Sequence, residues 1–175
     1  INDVALIKKD YSGILQNYRI DGYGAAFRIE AYDVAHMSGK NMVGVMTVLE
    51  NGIPAKNEYK KFIIKTQKNS NDTGALEEIL SRRFRHLEWG VPDLIVLDGA
   101  LAQENIARQV LSRFQLEIPV VAVVKDERHK AKEIRGNKKD IEKREDSILL
   151  ANSEAHRFAI AFHKQKRAKD FLGDK

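Results

Sequence analysis

The period of apolar and polar positions changes along the chain, and each change predicts a different element. From Arg28 the residues alternate. Ile29, Ala31, Asp33 and Ala35 share one face, with Arg28, Glu30, Tyr32 and His36 mainly on the other, the two-residue period of a strand. A Ser38-Gly39-Lys40-Asn41 turn leads into the apolar run Val43–Leu49. Asn51-Gly52 is the best short hairpin signal in the sequence. Beyond it, Glu58–Lys65 alternates again around Tyr59, Phe62 and Ile64. Together these segments predict three antiparallel strands in a meander.

The pattern then becomes helical. Asn71-Asp72-Thr73 has the composition of a helix cap, and Ala75, Leu76, Ile79, Leu80 and Phe84 recur at helical spacing in a stretch reaching about Glu88. Pro92-Asp93 opens the continuous apolar run Leu94–Leu97, which suits a strand buried on both faces. A second helix is predicted over about Ala100–Phe114, and Pro119–Val124 is a second buried strand. Residues 125–150 are highly charged and carry Gly136-Asn137, which reads as an exposed hairpin or a mobile loop. Ser153 is predicted to cap a last helix running to about Phe171. The order implies a right-handed crossover and a partly parallel sheet. It predicts an α/β fold of ribonuclease H-like type: a mixed five-stranded sheet, three antiparallel strands then two parallel ones, flanked by helices. Residues 1–27 are expected to form a linker or wrapping segment, and 28–175 the domain itself.

Composition narrows the chemistry. The chain has 175 residues, 43% hydrophobic and 31% charged, the balance of a globular domain able to bury a core. It contains no cysteine, which excludes a disulfide framework, a thiolate zinc site and a cysteine nucleophile. No apolar run approaches the roughly 18 to 20 residues of a membrane span. The opening Ile1-Asn2-Asp3-Val4-Ala5 lacks a signal-peptide pattern and an initiator Met, so it reads as part of a longer chain. The net charge of +5 is concentrated at one end. Residues 1–124 hold 15 basic and 15 acidic side chains, residues 125–175 hold 15 basic and 10 acidic. A basic end on a neutral body suits a polyanion such as a nucleic acid.

Three residues stand out as candidates. Asp33 puts a carboxylate on the apolar face of its strand, where an unpaired charge would cost several kcal/mol and therefore calls for a partner or a metal. Asp98 ends the buried strand Leu94–Leu97 and precedes Gly99, at the carboxyl end where open α/β sheets place their ligands. His156, read as lying in the first turn after Ser153, would be kept neutral by the positive helix end, with His163 nearly on the same face. Each also has an ordinary reading: Asp33 as a salt-bridged core residue, Asp98 as a helix cap, His156 as a packing residue. Two Asp and one His together suit Mg²⁺ or Mn²⁺ and phosphodiester hydrolysis. Asp33, His36 and Ser38 do not make a hydrolase triad, because neighbouring strand positions alternate faces. There is no phosphate-binding Gly-Lys-Ser/Thr loop and no dinucleotide glycine fingerprint. His129 and Lys130 read as facing solvent or DNA.

Four motifs carry a family resemblance. Asp33-Val34-Ala35-His36-Met37-Ser38-Gly39, Asn71-Asp72, Leu97-Asp98-Gly99 and Glu154-Ala155-His156-Arg157-Phe158-Ala159-Ile160 resemble the successive signatures of the UvrC excinuclease family, and the opening Ile1–Ile7 resembles the segment before that family's C-terminal nuclease domain. The resemblance implies a cytoplasmic, metal-dependent ribonuclease H-like endonuclease of the SOS-linked repair system. That enzyme makes the 5′ incision in damaged double-stranded DNA once excinuclease subunits A and B have loaded the complex. By motif position it implies Asp33, Asp98 and His156 as a metal-binding catalytic triad, and Asp72 as a further acidic position that equally reads as a helix cap. Arg157, Lys164, Lys166 and Arg167 would contact phosphates without reading sequence. Where the family runs Asp-Gly-Gly-Lys-Gly-Gln, this chain has Asp98-Gly99-Ala100-Leu101-Ala102-Gln103, losing backbone freedom and a lysine. The family's GIY-YIG nuclease and helix-hairpin-helix modules fall outside this chain, so weak DNA binding is expected of it; it is also expected to be monomeric. The alternative expectation is a non-catalytic DNA-binding or assembly module of the same fold.

Overall fold

A computed structural model of the chain describes residues 26–36, 42–66 and 71–173. The Ser38–Asn41 turn and nearly all of the expected linker, residues 1–27, lie outside them. The described strands are β1 (Arg28–His36), β2 (Met42–Glu50), β3 (Ile53–Pro54), β4 (Lys60–Ile63), β5 (Leu94–Asp98), β6 (Val120–Lys125) and β7 (Ala131–Arg135). The α-helices are α1 (Asp72–Arg83), α2 (Leu101–Arg113) and α3 (Lys138–Gly173). The strands form one sheet in the order β3-β2-β1-β5-β6-β7, with β4 also paired to β2. β1 and β2 are antiparallel, whereas β1, β5 and β6 run parallel. This is the expected ribonuclease H-like arrangement, with the two catalytic-candidate strands as neighbours.

The sheet has seven strands, not five. The two additions are edge pieces that carry little hydrophobic signal. β3 is cut to two residues by Pro54, which has no N–H to give a ladder. β7 is built from Ala131-Lys132-Glu133-Ile134-Arg135, largely exposed on the outer edge against β6, so part of the stretch 125–150, expected as an exposed hairpin or mobile loop, is an edge strand of the sheet. The Asn51-Gly52 hairpin forms as expected, with both residues at positive φ (50° and 78°), the twist a tight hairpin turn requires. The third meander strand is shorter than Glu58–Lys65. The first helix ends at Arg83, with Leu87–Trp89 forming a separate 3-10 turn in place of a continuation to Glu88.

The last helix differs most from expectation. Ser153 does not cap it, because α3 already begins at Lys138 and runs through that position, with one break in helical geometry at Arg144 (φ −138°, ψ 21°). The charged run 138–147 is rich in good helix formers, and Ile148, Ala151 and Ala155 form one buried stripe on either side of the exposed Ser153. His156 therefore sits in the body of a helix, and a helix-end field is no part of its environment.

Helices cover the sheet on both faces. One face packs Tyr32, Met46, Val48, Ile95, Leu97 and Ala122 against Leu76, Ile79 and Leu80 of α1, Phe84 just after it, and Ala107, Val110 and Leu111 of α2. The other packs Ile29, Ala31, Val45, Leu94, Val96, Val121 and Val123 against Ile148, Ala151, Ala155 and Ala159 of α3. Three alanines at four-residue intervals let α3 lie close against β1 and β2.

A buried ionic cluster fixes the start of β1. Glu30 is fully buried and accepts from Arg83 Nε and Nη2 (2.9 and 2.6 Å), Arg28 Nε (3.0 Å) and Tyr32 Oη (2.6 Å). Arg83, itself fully buried, also donates to the carbonyls of His86 and Gly90, and Arg28 pairs with Glu58. The cluster ties α1 and the Leu87–Trp89 turn to the sheet. Burial of the Tyr32 hydroxyl beside Glu30 pushes its pKa well up, so it remains a donor.

Arg83→Met would leave Glu30 buried without its main partner, and is expected to cost about 3–5 kcal/mol in denaturant unfolding. Ala155→Leu would insert bulk between α3 and the sheet and cost about 1–3 kcal/mol in the same measurement.

Candidate active site

Three parallel strands end at the same edge of the sheet. The register sets Tyr32 opposite Leu97 and Asp98 opposite Val123, so Asp33 and Asp98 emerge side by side at the carboxyl ends of β1 and β5. Alternation decides their direction: Ile29, Ala31, Leu94 and Val96 pack under α3, and Asp33 and Asp98 continue those rows. α3 crosses above them and brings in His156, whose Nδ1 lies 3.2 Å from Asp33 Oδ2. One donor atom from each of Asp33, Asp98 and His156 lies within 4.8 Å of the others, a spacing that could hold a metal ion. His163, seven residues further along α3, does not join this group.

The electrostatics favour a cation. Asp33 is 8% exposed, and burial together with the neighbouring Asp98 charge pushes its pKa up; His156 and Lys125 oppose this only in part. Two carboxylates in so small a volume, one of them desolvated, carry more negative charge than their protein partners balance. An all-oxygen-and-nitrogen donor set with this surplus fits a hard divalent ion.

Asp33 and Asp98 open onto a cavity of about 450 Å³, whose walls include Asp72, Gly99, Ala100, Gln103, Lys125, Asp126 and His129. His156 meets Asp33 from the α3 side and does not line that cavity. The turn after Asp98 depends on Gly99 at φ +140°, a conformation that side chains rarely adopt. Gln103 folds back over it, its Oε1 accepting from the Ala100 N–H at 2.9 Å. The altered run Gly99-Ala100-Leu101-Ala102 thus still makes a closed strand-to-helix turn, with Leu101 half exposed.

Other sequence candidates fall around this centre. Asn71, not Asp72, caps α1, its Oδ1 accepting from the Gly74 N–H at 3.0 Å. Asp72 instead turns to the cavity rim, with Oδ1 2.6 Å from His36 Nε2. Arg157 is held by Glu154 through Nε and Nη2 (2.9 and 2.8 Å), and Glu154 also accepts from the Tyr59 hydroxyl. Lys164, Lys166 and Arg167 continue along α3 past His156, and none of these four lines the cavity.

Sequence reasoning missed two neighbours. Lys125, at the end of β6, donates to Asp98 Oδ2 at 3.1 Å. Its signal was available: it lies two residues beyond Val123 on a buried parallel strand, the position that singles out Asp98 on β5. The His36–Asp72 pair joins residues 36 apart, and no local pattern announces it.

Strand order, crossover and the acidic strand ends define a ribonuclease H-like nuclease fold. Residues 23–160 match the family described as "UvrC RNAse H endonuclease domain". The chain belongs to this family. Similar curated proteins include the UvrABC system protein C of Clostridium acetobutylicum, 39% identical with 83% of this chain and 27% of that protein covered. Another is the UvrABC system protein C of Thermoanaerobacter, 35% identical with 99% and 32% covered. The chain thus spans about a third or less of the length of these relatives. Among solved structures, Ciona intestinalis endonuclease V in complex with inosine-containing DNA aligns over 71% of this chain and 58% of that one, with 12% identity and a TM-score of 0.45. No helix among the described residues is long and apolar enough to cross a membrane.

Asp33 is ionised at a cost to the fold, because its raised pKa favours the protonated form in the folded state and stability falls as pH rises through that pKa. Asp33→Asn removes this cost. It is expected to raise the thermal midpoint of the metal-free chain at neutral pH by about 2–4 °C, the equivalent of ~1 kcal/mol, with the gap closing as pH falls.

Proposed function

We propose that this domain is a metal-dependent DNA endonuclease that makes the 5′ incision beside a lesion in bacterial nucleotide excision repair. The observation that carries the reading is the convergence of Asp33, Asp98 and His156 within 4.8 Å at the carboxyl edge of the parallel strands. The family membership supports it. Asp33 and Asp98 would hold Mg²⁺ or Mn²⁺, with His156 completing the donor set or carrying a proton. Such an ion, when bound, supplies an activated water and stabilises charge developing on the phosphorus oxygens. Burial of Asp33 under α3 keeps bulk water from one side of the centre and strengthens its interaction with a cation. His156 is half exposed, and its ring is oriented by Asp33, so it can pass a proton to solvent. The products would be a 5′-phosphate and a 3′-hydroxyl.

The same reading extends to partners. Damaged double-stranded DNA would be delivered by excinuclease subunits A and B in the cytoplasm, as part of the SOS response. Asp72 would act at the cavity rim. Lys164, Lys166 and Arg167 would contact backbone phosphates along α3, whereas Arg157 must first exchange its Glu154 pairing. A non-catalytic DNA-binding or assembly module is the second reading, and the altered run after Gly99 is what favours it.

Nicking of supercoiled plasmid with Mn²⁺ or Mg²⁺ tests the proposal. Asp33→Ala, Asp98→Ala and His156→Ala are each expected to lower the rate by at least ~100-fold, and chelation to abolish it. Nicking that survives all three substitutions would place the chemistry elsewhere. Absence of both nicking and metal binding would leave the assembly module as the better reading.

A further inference from the structure

Lys125 stands out among the cations around the cavity. It is the one lysine among the described lining residues, and its ammonium rests on Asp98 Oδ2 at 3.1 Å, with both side chains largely withdrawn from solvent (18% and 23% exposed). Alternation along β6 produces this contact. Val121 and Val123 pack under α3, Val123 pairs with Asp98, and Lys125, the next residue of that row and two positions beyond Asp98's partner, reaches back to the carboxylate. The carboxyl ends of three adjacent parallel strands therefore present acid, acid and ammonium in sequence. Lys125 also opposes the rise in the Asp33 pKa, so its charge reaches both carboxylates. The neighbouring turn Gly99-Ala100-Leu101-Ala102 contains no lysine, so it supplies no competing ammonium.

A lysine in this place has a specific physical consequence. A compact ammonium on a flexible four-carbon stem can neutralise a carboxylate and can also swing away from it, which a rigid bidentate guanidinium does less readily. A divalent ion held by Asp33 and Asp98 would compete with the ammonium for the Asp98 carboxylate and would repel it.

We propose that Lys125 is a built-in stand-in cation: it neutralises the acidic pair while no metal is bound and must be displaced from Asp98 for a divalent ion to enter. The inference rests on the metal-dependent reading above. It assigns Lys125 a positioning role opposite in sign to that of a ligand. Lys125 holds the site in shape and at the same time weakens metal binding, so that firm occupancy awaits a second anion, such as a phosphate of the substrate, to take over the ammonium.

Direct Mn²⁺ binding, followed by the electron paramagnetic resonance of free Mn²⁺ and by calorimetry, tests it on this chain without reference to activity. Lys125→Met is expected to bind Mn²⁺ about tenfold more tightly than the unaltered chain, equivalent to ~1.4 kcal/mol, while Lys125→Arg, whose guanidinium yields less readily, binds it more weakly than the unaltered chain. Without metal, Lys125→Met should melt at a lower temperature, and saturating Mn²⁺ should close that gap. Lys125→Gln, neutral but still able to donate to Asp98, gives the same result if the methionine variant folds poorly. Equal or weaker Mn²⁺ binding by the neutral variants would overturn the proposal and leave the metal site standing. If neither the unaltered chain nor the neutral variants bind Mn²⁺, the metal-dependent reading fails and the inference with it.

Discussion

The parallel pairing of β1 with β5 is the constraint on which the site depends. It sets Tyr32 beside Leu97 and leaves the following residues, Asp33 and Asp98, no alternative but to share one edge and one face. Like charges so placed repel, and Asp33 is desolvated as well. The surrounding structure answers that repulsion in several ways: His156 descends from α3, Lys125 rises from β6, and the charge still left over makes the centre a cation receptor. The stripe of Ala151, Ala155 and Ala159 serves the same end, because only small residues allow α3 near enough for an imidazole to reach the sheet.

The two ends of β1 are treated in opposite ways. At its start, Glu30 is completely buried yet surrounded by donors from Arg28, Tyr32 and Arg83, so its charge is matched. At its far end, Asp33 meets a second carboxylate and is matched only in part. One strand thus carries a satisfied buried acid that holds the fold and an unsatisfied one that can act on a ligand. The first anchors α1 and the turn leading to β5, and so fixes the register that places the second.

Much of this could be read from the chain beforehand, and the exceptions have physical causes. The apolar period predicted β1, β2, β5, β6, α1 and α2, since a buried face must be apolar in the period of its element. Alternation singled out Asp33 because a carboxylate broke an otherwise apolar row. His156 was found for a mistaken local reason: Ser153 resembles a cap, but helix propensity upstream carries α3 through it. Glu30 and Arg83 escaped notice because charged residues in an alternating strand or an amphipathic helix normally face water, and only tertiary packing reveals that these two face each other. β7 escaped because an edge strand with Lys132 and Glu133 toward solvent looks like a loop. Charge totals also hid Lys125, whose importance lies in its position at a strand end.

The unequal treatment of the two acids of β1 separates failure of fold from failure of chemistry. Damage to the Glu30–Arg83 cluster would lower the folded population, since it leaves a buried charge unpaired. Damage at Asp33 relieves a repulsion and, on the proposed function, would leave a sound domain without its chemistry. Such a domain would keep whatever surfaces its assembly recognises, and would compete with intact copies for the same place. On that function, the more harmful lesion would be the one that leaves the protein intact.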